Sequence, residues 1–214
     1  MKQRTRRPGV LPTAGLIVEG DAEFAALPLL HRKSLVTGCP PLRAINLGGV
    51  GSHVEPIGIA KMIKPKVVQH QIAGRSPVII CIDREQRGKS ATRLAAEVQS
   101  AVCQLLADDG RPSNGVFVVI ADRAFEAWLL ADARGLHEKG HFVHAPSFHS
   151  FEGAMGKQQK KGVVELTELL GRPYGKTTDG PRLFEKLRFS KARKSEPGEH
   201  GSASLDRFLR ALGM

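Results

Sequence analysis

Cysteine, aromatic residues and long apolar runs are all scarce in this 214-residue chain. The cysteines, Cys39, Cys81 and Cys103, are odd in number and far apart, and no CxxC pair occurs. That argues against a disulfide framework and a zinc ribbon, and leaves Cys81 and Cys103, in VIICID and AVCQLL, as buried free thiols. No uninterrupted apolar stretch is long enough to span a bilayer. The basic start MKQRTRRPGVLPT lacks the apolar core of a signal peptide. A reduced, cytoplasmic protein with no membrane partner is the expectation. Aromatics are only 5% of residues, so base stacking on a single strand is less supported than contact with a phosphate backbone.

Positive charge is plentiful. Lys and Arg number 32 against 21 Asp and Glu, a net +11, which makes a polyanion such as nucleic acid a plausible partner. The apolar fraction of 41% is ordinary for a globular protein, and the length suits one α/β domain with a sizeable core.

Strand and helix signals alternate along the first two thirds. AGLIVEG (14–20), LRAINLGG (42–49), SPVIICID (76–83) and GVFVVIAD (115–122) read as buried strands. Between them, residues 22–36 suit a helix with Pro28 in an early turn. Residues 54–73 suit one interrupted at Pro65, and 89–108 form an amphipathic helix through Leu94, Val98, Val102 and Leu106. AFEAWLLAD (124–132) starts another helix, in which Trp128, Leu129 and Leu130 read as core. This rhythm predicts βαβ units and a parallel sheet with right-handed crossovers. Residues 1–13 read as a basic arm and 14–134 as the α/β domain. Residues 135–214 read as a basic, mostly helical extension on the same domain, with helices near 163–170, 179–189 and 203–212.

Against this positive background, LIVEGDAEF (16–24) packs three acids into nine residues. Glu19 ends the first strand, Asp83 the third and Asp122 the fourth, so all three project from one edge of a parallel sheet, where ligands bind. Glu85 follows Asp83 by two, on one side of an extended backbone, and Glu23 lies one helical turn beyond Glu19. Crowded carboxylates repel one another, and a divalent cation with a taste for oxygen, Mg²⁺ or Mn²⁺, relieves that. Two such ions activate water and stabilise the leaving oxygen in phosphodiester cleavage. The plainer reading is that strand-end acids are solvated or cap the next helix, as Asp21 would for 22–36. Glu126 reads either as a further ligand or as the partner of Arg123 or Arg134.

VEG-xx-E (18–23), then a strand ending D-x-E (83–85), resembles the TOPRIM catalytic domain of topoisomerases, primases and the overcoming-lysogenization-defect nucleases. ADRAFEAWLLAD (121–132) and YGKTTDG (174–180) are similar to a TOPRIM-related bacterial family of unknown function. The resemblance covers the chain from about residue 14 to its end. It implies a Mg²⁺- or Mn²⁺-dependent nuclease or related phosphodiester-processing enzyme. Glu19 would be base or ligand, and Asp83 and Glu85 would be ligands, with Glu23, Asp122 and Glu126 in support. TOPRIM proteins usually show D-x-D, and Glu85 lengthens the second arm. The one tyrosine, Tyr174, lies in the extension, so hydrolysis is favoured over topoisomerase-type transesterification. The resemblance also implies a phage-defence or mobile-element setting and an ATPase partner. A degenerate, non-catalytic module that binds nucleic acid or an ATPase is the alternative.

Three further features remain. NLGGVGSH (46–53) precedes a helix in the manner of a phosphate loop but lacks the Lys-Ser/Thr of a Walker A motif. It reads as a turn needing positive φ, or as the seat of a small-molecule phosphotransfer pocket. His137, His141, His144 and His149 cluster without metal-site register and read as a solvated loop. In the extension, Lys157, Lys160, Lys161, Arg172, Lys176, Arg188 and Arg193 are candidates for contacting DNA or RNA phosphates.

Overall fold

A computed structural model describes residues 12–33, 38–147, 151–152, 161–193 and 201–214. Its four strands are β1 (Ala14–Val18), β2 (Leu42–Asn46), β3 (Val78–Asp83) and β4 (Val116–Ala121). They form one parallel sheet in the order β2-β1-β3-β4. The expected α/β architecture of a parallel sheet flanked by helices is therefore present, in a Rossmann-like arrangement.

The central strands β1 and β3 are buried and apolar on both sides, because helices cover both faces. Side chains alternate along each strand. Leu16, Val18, Ile79, Cys81 and Val119 face one core, while Ile17, Ile80, Ile82 and Ile120 face the other. The second core is closed by α3 (Pro56–Ile72) and α4 (Ala91–Asp108), the crossovers into β3 and β4. α4 starts on Ser90, whose hydroxyl accepts the Arg93 amide, and buries Leu94, Val98, Val102 and Leu106. The first core takes the short α1 (Asp21–Ala26), α2 (Leu30–Lys33), α5 (Phe125–Leu130) and α6 (Ala133–Glu138). It also takes side chains of α7 (Gly162–Leu170), α8 (Asp179–Lys186), α9 (Phe189–Ala192) and α10 (Ala203–Ala211). Trp128 is fully buried there against Phe125 and Phe208, and its indole N–H donates to Ser204 Oγ at 2.7 Å.

Two helix expectations need correction. The helix read over 22–36 breaks into α1, a 3-10 turn at Leu27–Leu29 holding Pro28, and α2. Residues 34–36 lie outside the described residues. Conversely α3 runs unbroken through Pro65. Pro65 is on the solvent side, so the Lys61 carbonyl it leaves unbonded can meet water.

β4 is an edge strand, and its outer backbone is occupied by one side chain. Gln99 of α4 donates from Nε2 to Val116 O at 3.0 Å and accepts from Val118 N–H at 2.7 Å. Among the described residues no helix is long and apolar enough to cross a membrane.

Candidate active site

The order β2-β1-β3-β4 reverses direction between β1 and β3. There the outgoing connections part to opposite faces and leave a crevice at the carboxyl ends. Glu19 follows β1 and Asp83 ends β3, so the two acids flank that crevice. Glu19 Oε1 accepts the Val50 amide at 2.7 Å and Oε2 accepts the Asp83 amide at 3.1 Å. The carboxylate thus ties the glycine loop and β3 to β1. Burial pushes the Glu19 carboxyl up, and the two amides and Arg87 pull against it.

Arg87, buried, fastens the same junction from the other side. Its guanidinium donates to Asp83 O at 2.6 Å, Val50 O at 2.8 Å and Gly51 O at 3.1 Å. Gly48 sits at φ +78°, as expected for the loop, and its amide donates to Asn46 Oδ1. Asp21 does not cap α1 with its side chain; Gly20 is the N-cap, and Asp21 instead accepts from Asn46 Nδ2 at 2.7 Å.

Glu23 on α1 and Glu126 on α5 are both buried, and their charges act on Asp83 together with those of Glu19 and Glu85. Burial, with these neighbours adding, pushes Asp83 well above the usual carboxylate range. Its Oδ1 is enclosed and meets no hydrogen-bond donor among the described residues. Glu23 is pushed up to about 7, chiefly by burial, with Glu126 and Glu19 adding repulsion. Gly20 leaves room for this crowding, since a Cβ there would lie 2.7 Å from Glu23 Oε2. Glu126 faces Lys176 Nζ at 4.0 Å, in place of the expected Arg123 or Arg134.

Two of the expected acids sit otherwise than the spacing suggested. Asp122 pairs with Arg84, Nε to Oδ1 at 2.6 Å, in a largely buried contact, while its amide donates to Ser204 Oγ. A buried guanidinium needs a partner, and Asp122 is already committed to it, so it does not join the metal-ligand candidates. Glu85 is not on an extended backbone. It adopts φ +49° and is exposed, turned onto the cavity wall. Its amide donates to Arg123 O at 2.6 Å, and Arg123 is itself at φ +74°. Two non-glycine residues in left-handed backbone, joined across the ends of β3 and β4, mark strain of the sort functional loops store.

The carboxylates open onto a cavity of about 420 Å³. Asp83, Glu85 and Glu126 line it together with Arg123, Lys161 and Lys176, and with Ser52 and Phe151. Arg123 lies over the Phe151 ring at 4.9 Å. Gly162, first residue of α7, packs so tightly on Glu126 that a Cβ would come within 2.6 Å of Glu126 Cβ. Tyr174, two residues before Lys176, is buried with no hydrogen-bond partner for its hydroxyl among the described residues. Burial and the charges of Glu126 and Glu23 push that hydroxyl well above its ordinary value.

The basic candidates divide. Lys161 and Lys176 line the cavity. Arg172 instead grips Asp179 with two bonds of 2.7 and 2.6 Å. Arg188 holds Asp132 at 2.7 Å and Glu138 at 3.0 Å, and Arg193 holds Asp206 at 2.8 Å. Asp132, Asp179 and Asp206 are buried carboxylates, and the planar guanidinium fork is what satisfies them. These three arginines are structural. Lys157, Lys160 and His149 lie outside the described residues.

Nothing in the sequence marks Gly162 or the placement of Tyr174, and Arg123 enters there only as a partner of Glu126; Arg84 and Arg87 are not singled out. The one usable signal was DREQRGK, a strand-end loop whose cations alternate with its acids. As the side chains stand, no group of three His, Cys, Asp or Glu among the described residues is set to hold a metal ion.

Fold and site together define an α/β protein with a mixed-charge cavity at the switch point of a parallel sheet. The chain belongs to the family described as Domain of unknown function (DUF4276), whose family model matches residues 18–212. No curated protein and no solved structure matches it.

Proposed function

We propose that the protein is a divalent-metal-dependent phosphodiesterase that acts on nucleic acid, in keeping with the TOPRIM resemblance. The observation that carries this reading is the convergence of Glu19, Glu23, Asp83 and Glu126 around an enclosed Asp83 oxygen with no donor to meet. Acids whose charges all act on one carboxylate with an orphaned oxygen suit a hard dication with oxygen ligands. Asp83, with Glu126, would hold Mg²⁺ or Mn²⁺ after side-chain rotation. The ion would supply charge neutralisation at the phosphate and a more acidic bound water. Glu19, gripped by two backbone amides, positions the ends of β1 and β3. Glu23, buried behind the cavity-lining acids, adds its charge to those acting on Asp83. Lys176 and Lys161 bring positive charge to the phosphate. A phage-defence or mobile-element setting, and an ATPase partner, extend this proposal on the resemblance alone.

The test is cleavage of supercoiled plasmid, single-stranded DNA and RNA with Mg²⁺, Mn²⁺ or EDTA. Wild type runs beside Asp83→Asn and Glu126→Gln. Metal-dependent cutting lost in both variants supports the reading. Salt-sensitive binding with no cutting under any condition rejects it in favour of a non-catalytic binding module.

A further inference from the structure

Resting on that reading of the cavity, we propose that its substrate is a nucleotide end: one nucleotide unit seated by a terminal phosphate, not a duplex laid across an open groove. The size of the cavity is the first reason. At about 420 Å³ it lies in the range of sites that enclose one small organic molecule.

The charge inventory is the second reason. Carboxylates alone would repel a phosphate, but Lys161, Lys176 and Arg123 line the same space as Asp83, Glu85 and Glu126. A site holding both signs can take a metal on its acids and an additional phosphate on its cations. α7 strengthens the cationic part. Lys161 is its N-cap with no side-chain bond to the helix, and Lys161, Gly162 and Val163 all line the cavity. The first amides of a helix have no partner within it, and its positive end favours an anion. Only glycine at 162 allows that end to approach Glu126 so closely.

The third reason comes from the arginines that would have followed a long backbone. Arg172, Arg188 and Arg193 are each committed to a buried aspartate. Sequence-independent duplex binding needs several free cations along the phosphates. Lys161, Lys176 and Arg123, by contrast, line the cavity itself.

Seated this way, the terminal phosphate rests on Lys161, Lys176 and the α7 amides, and the next phosphodiester lies beside the carboxylates. Water oxygen forms a new bond to that phosphorus while the bond to the leaving oxygen breaks. One water proton ends on the leaving oxygen. The products are a mononucleotide and a strand one nucleotide shorter.

The test is fluorescence anisotropy in EDTA with short single-stranded oligonucleotides of one sequence. They carry a 5′ phosphate, a 3′ phosphate or hydroxyls at both ends, and a covalently closed circle is the fourth probe. A phosphorylated end should bind roughly tenfold or more tighter than hydroxyl ends, the usual worth of one charged hydrogen-bonding group. The circle should bind no better than the hydroxyl-ended strand. Lys161→Ala and Lys176→Ala, both at exposed positions, should erase the difference between phosphorylated and hydroxyl ends. Equal binding of all four probes, or a preference that survives both substitutions, overturns the proposal. Competition then distinguishes two sources of the same chemistry. A nucleoside monophosphate that displaces the strand at equal concentration points to free nucleotides, and displacement only by a phosphorylated strand points to strand ends. Because EDTA removes metal and cleavage, an end preference without any metal-dependent cutting would sink the phosphodiesterase and keep this subsite. Metal-dependent cutting of the closed circle at the linear rate would do the reverse.

Discussion

Glu19 and Asp83, 64 residues apart, meet through a hydrogen bond of 3.1 Å from the Asp83 amide to Glu19 Oε2. One acid is therefore part of the scaffold while the other, with an enclosed oxygen lacking a donor, bears the electrostatic load.

That difference predicts opposite signs for two neutralising substitutions. Glu19→Ala strands the Val50 and Asp83 amides, at about 1–3 kcal/mol for each buried donor. Its melting temperature should fall by several degrees. Asp83→Asn removes a repelled charge and should raise the melting temperature of the metal-free protein while abolishing metal binding. Differential scanning calorimetry in EDTA and in Mg²⁺ decides it, and equal losses in both variants would refute the division of roles.

Glu23 makes stability depend on pH. Its carboxyl moves from an ordinary 4.5 to about 7 in the fold, so the folded state favours the protonated form. The benefit is complete below pH 4.5 and is lost as pH rises through 7, by roughly 3 kcal/mol at most. Asp179 acts in the opposite direction. Arg172 holds it down at about 2, so its contribution is present above 3.8 and lost as pH falls towards 2. Metal-free stability should therefore peak near pH 4, between 3.8 and 4.5, in urea titrations across pH. Glu23→Gln should flatten the alkaline limb, and an unchanged slope would remove Glu23 as its cause.

Gly162→Ala tests the approach of α7 to the acids. The added methyl would meet Glu126 Cβ at 2.6 Å, so helix and carboxylate must separate. Overpacking of this kind costs about 1–3 kcal/mol. The far-UV circular dichroism should be retained, with cleavage and terminal-phosphate affinity both reduced. Wild-type values for both would show that the contact is idle.

Gln99→Ala exposes the outer edge of β4. Val118 N–H and Val116 C=O lose their side-chain partner, and an open edge is a template for pairing with a second strand. Sedimentation velocity should show more concentration-dependent self-association than for the wild type. A strictly monomeric variant at equal concentration would argue against that guard role.

Much of this architecture was legible in the chain. Short β-branched runs ending in an acid, separated by helix-length segments, announce a parallel sheet because only strands buried on both faces read as continuous apolar runs. The positions of Glu19, Asp83 and Glu126 at strand ends and on the following helix come from the same local pattern. Local pattern also misled. The spacing of Asp83 and Glu85 suggested one extended face, yet the backbone turns left-handed at Glu85 to meet Arg123.

The sequence by itself determined which residues lie in strands, which are apolar on both faces, and which acids stand at the carboxyl ends. Those depend on neighbours a few positions away. Only the tertiary structure decided which charges cancel. Asp122 goes to Arg84, Asp132 to Arg188 across 56 residues, and Asp206 to Arg193, while Lys161 and Lys176 arrive from the extension beside Glu126. A buried charge takes whichever opposite charge the packing delivers, because leaving it unpaired costs more than any local preference is worth. That is why a chain with a net charge of +11 could be read as a basic surface, when three of its candidate phosphate-binding arginines serve buried aspartates.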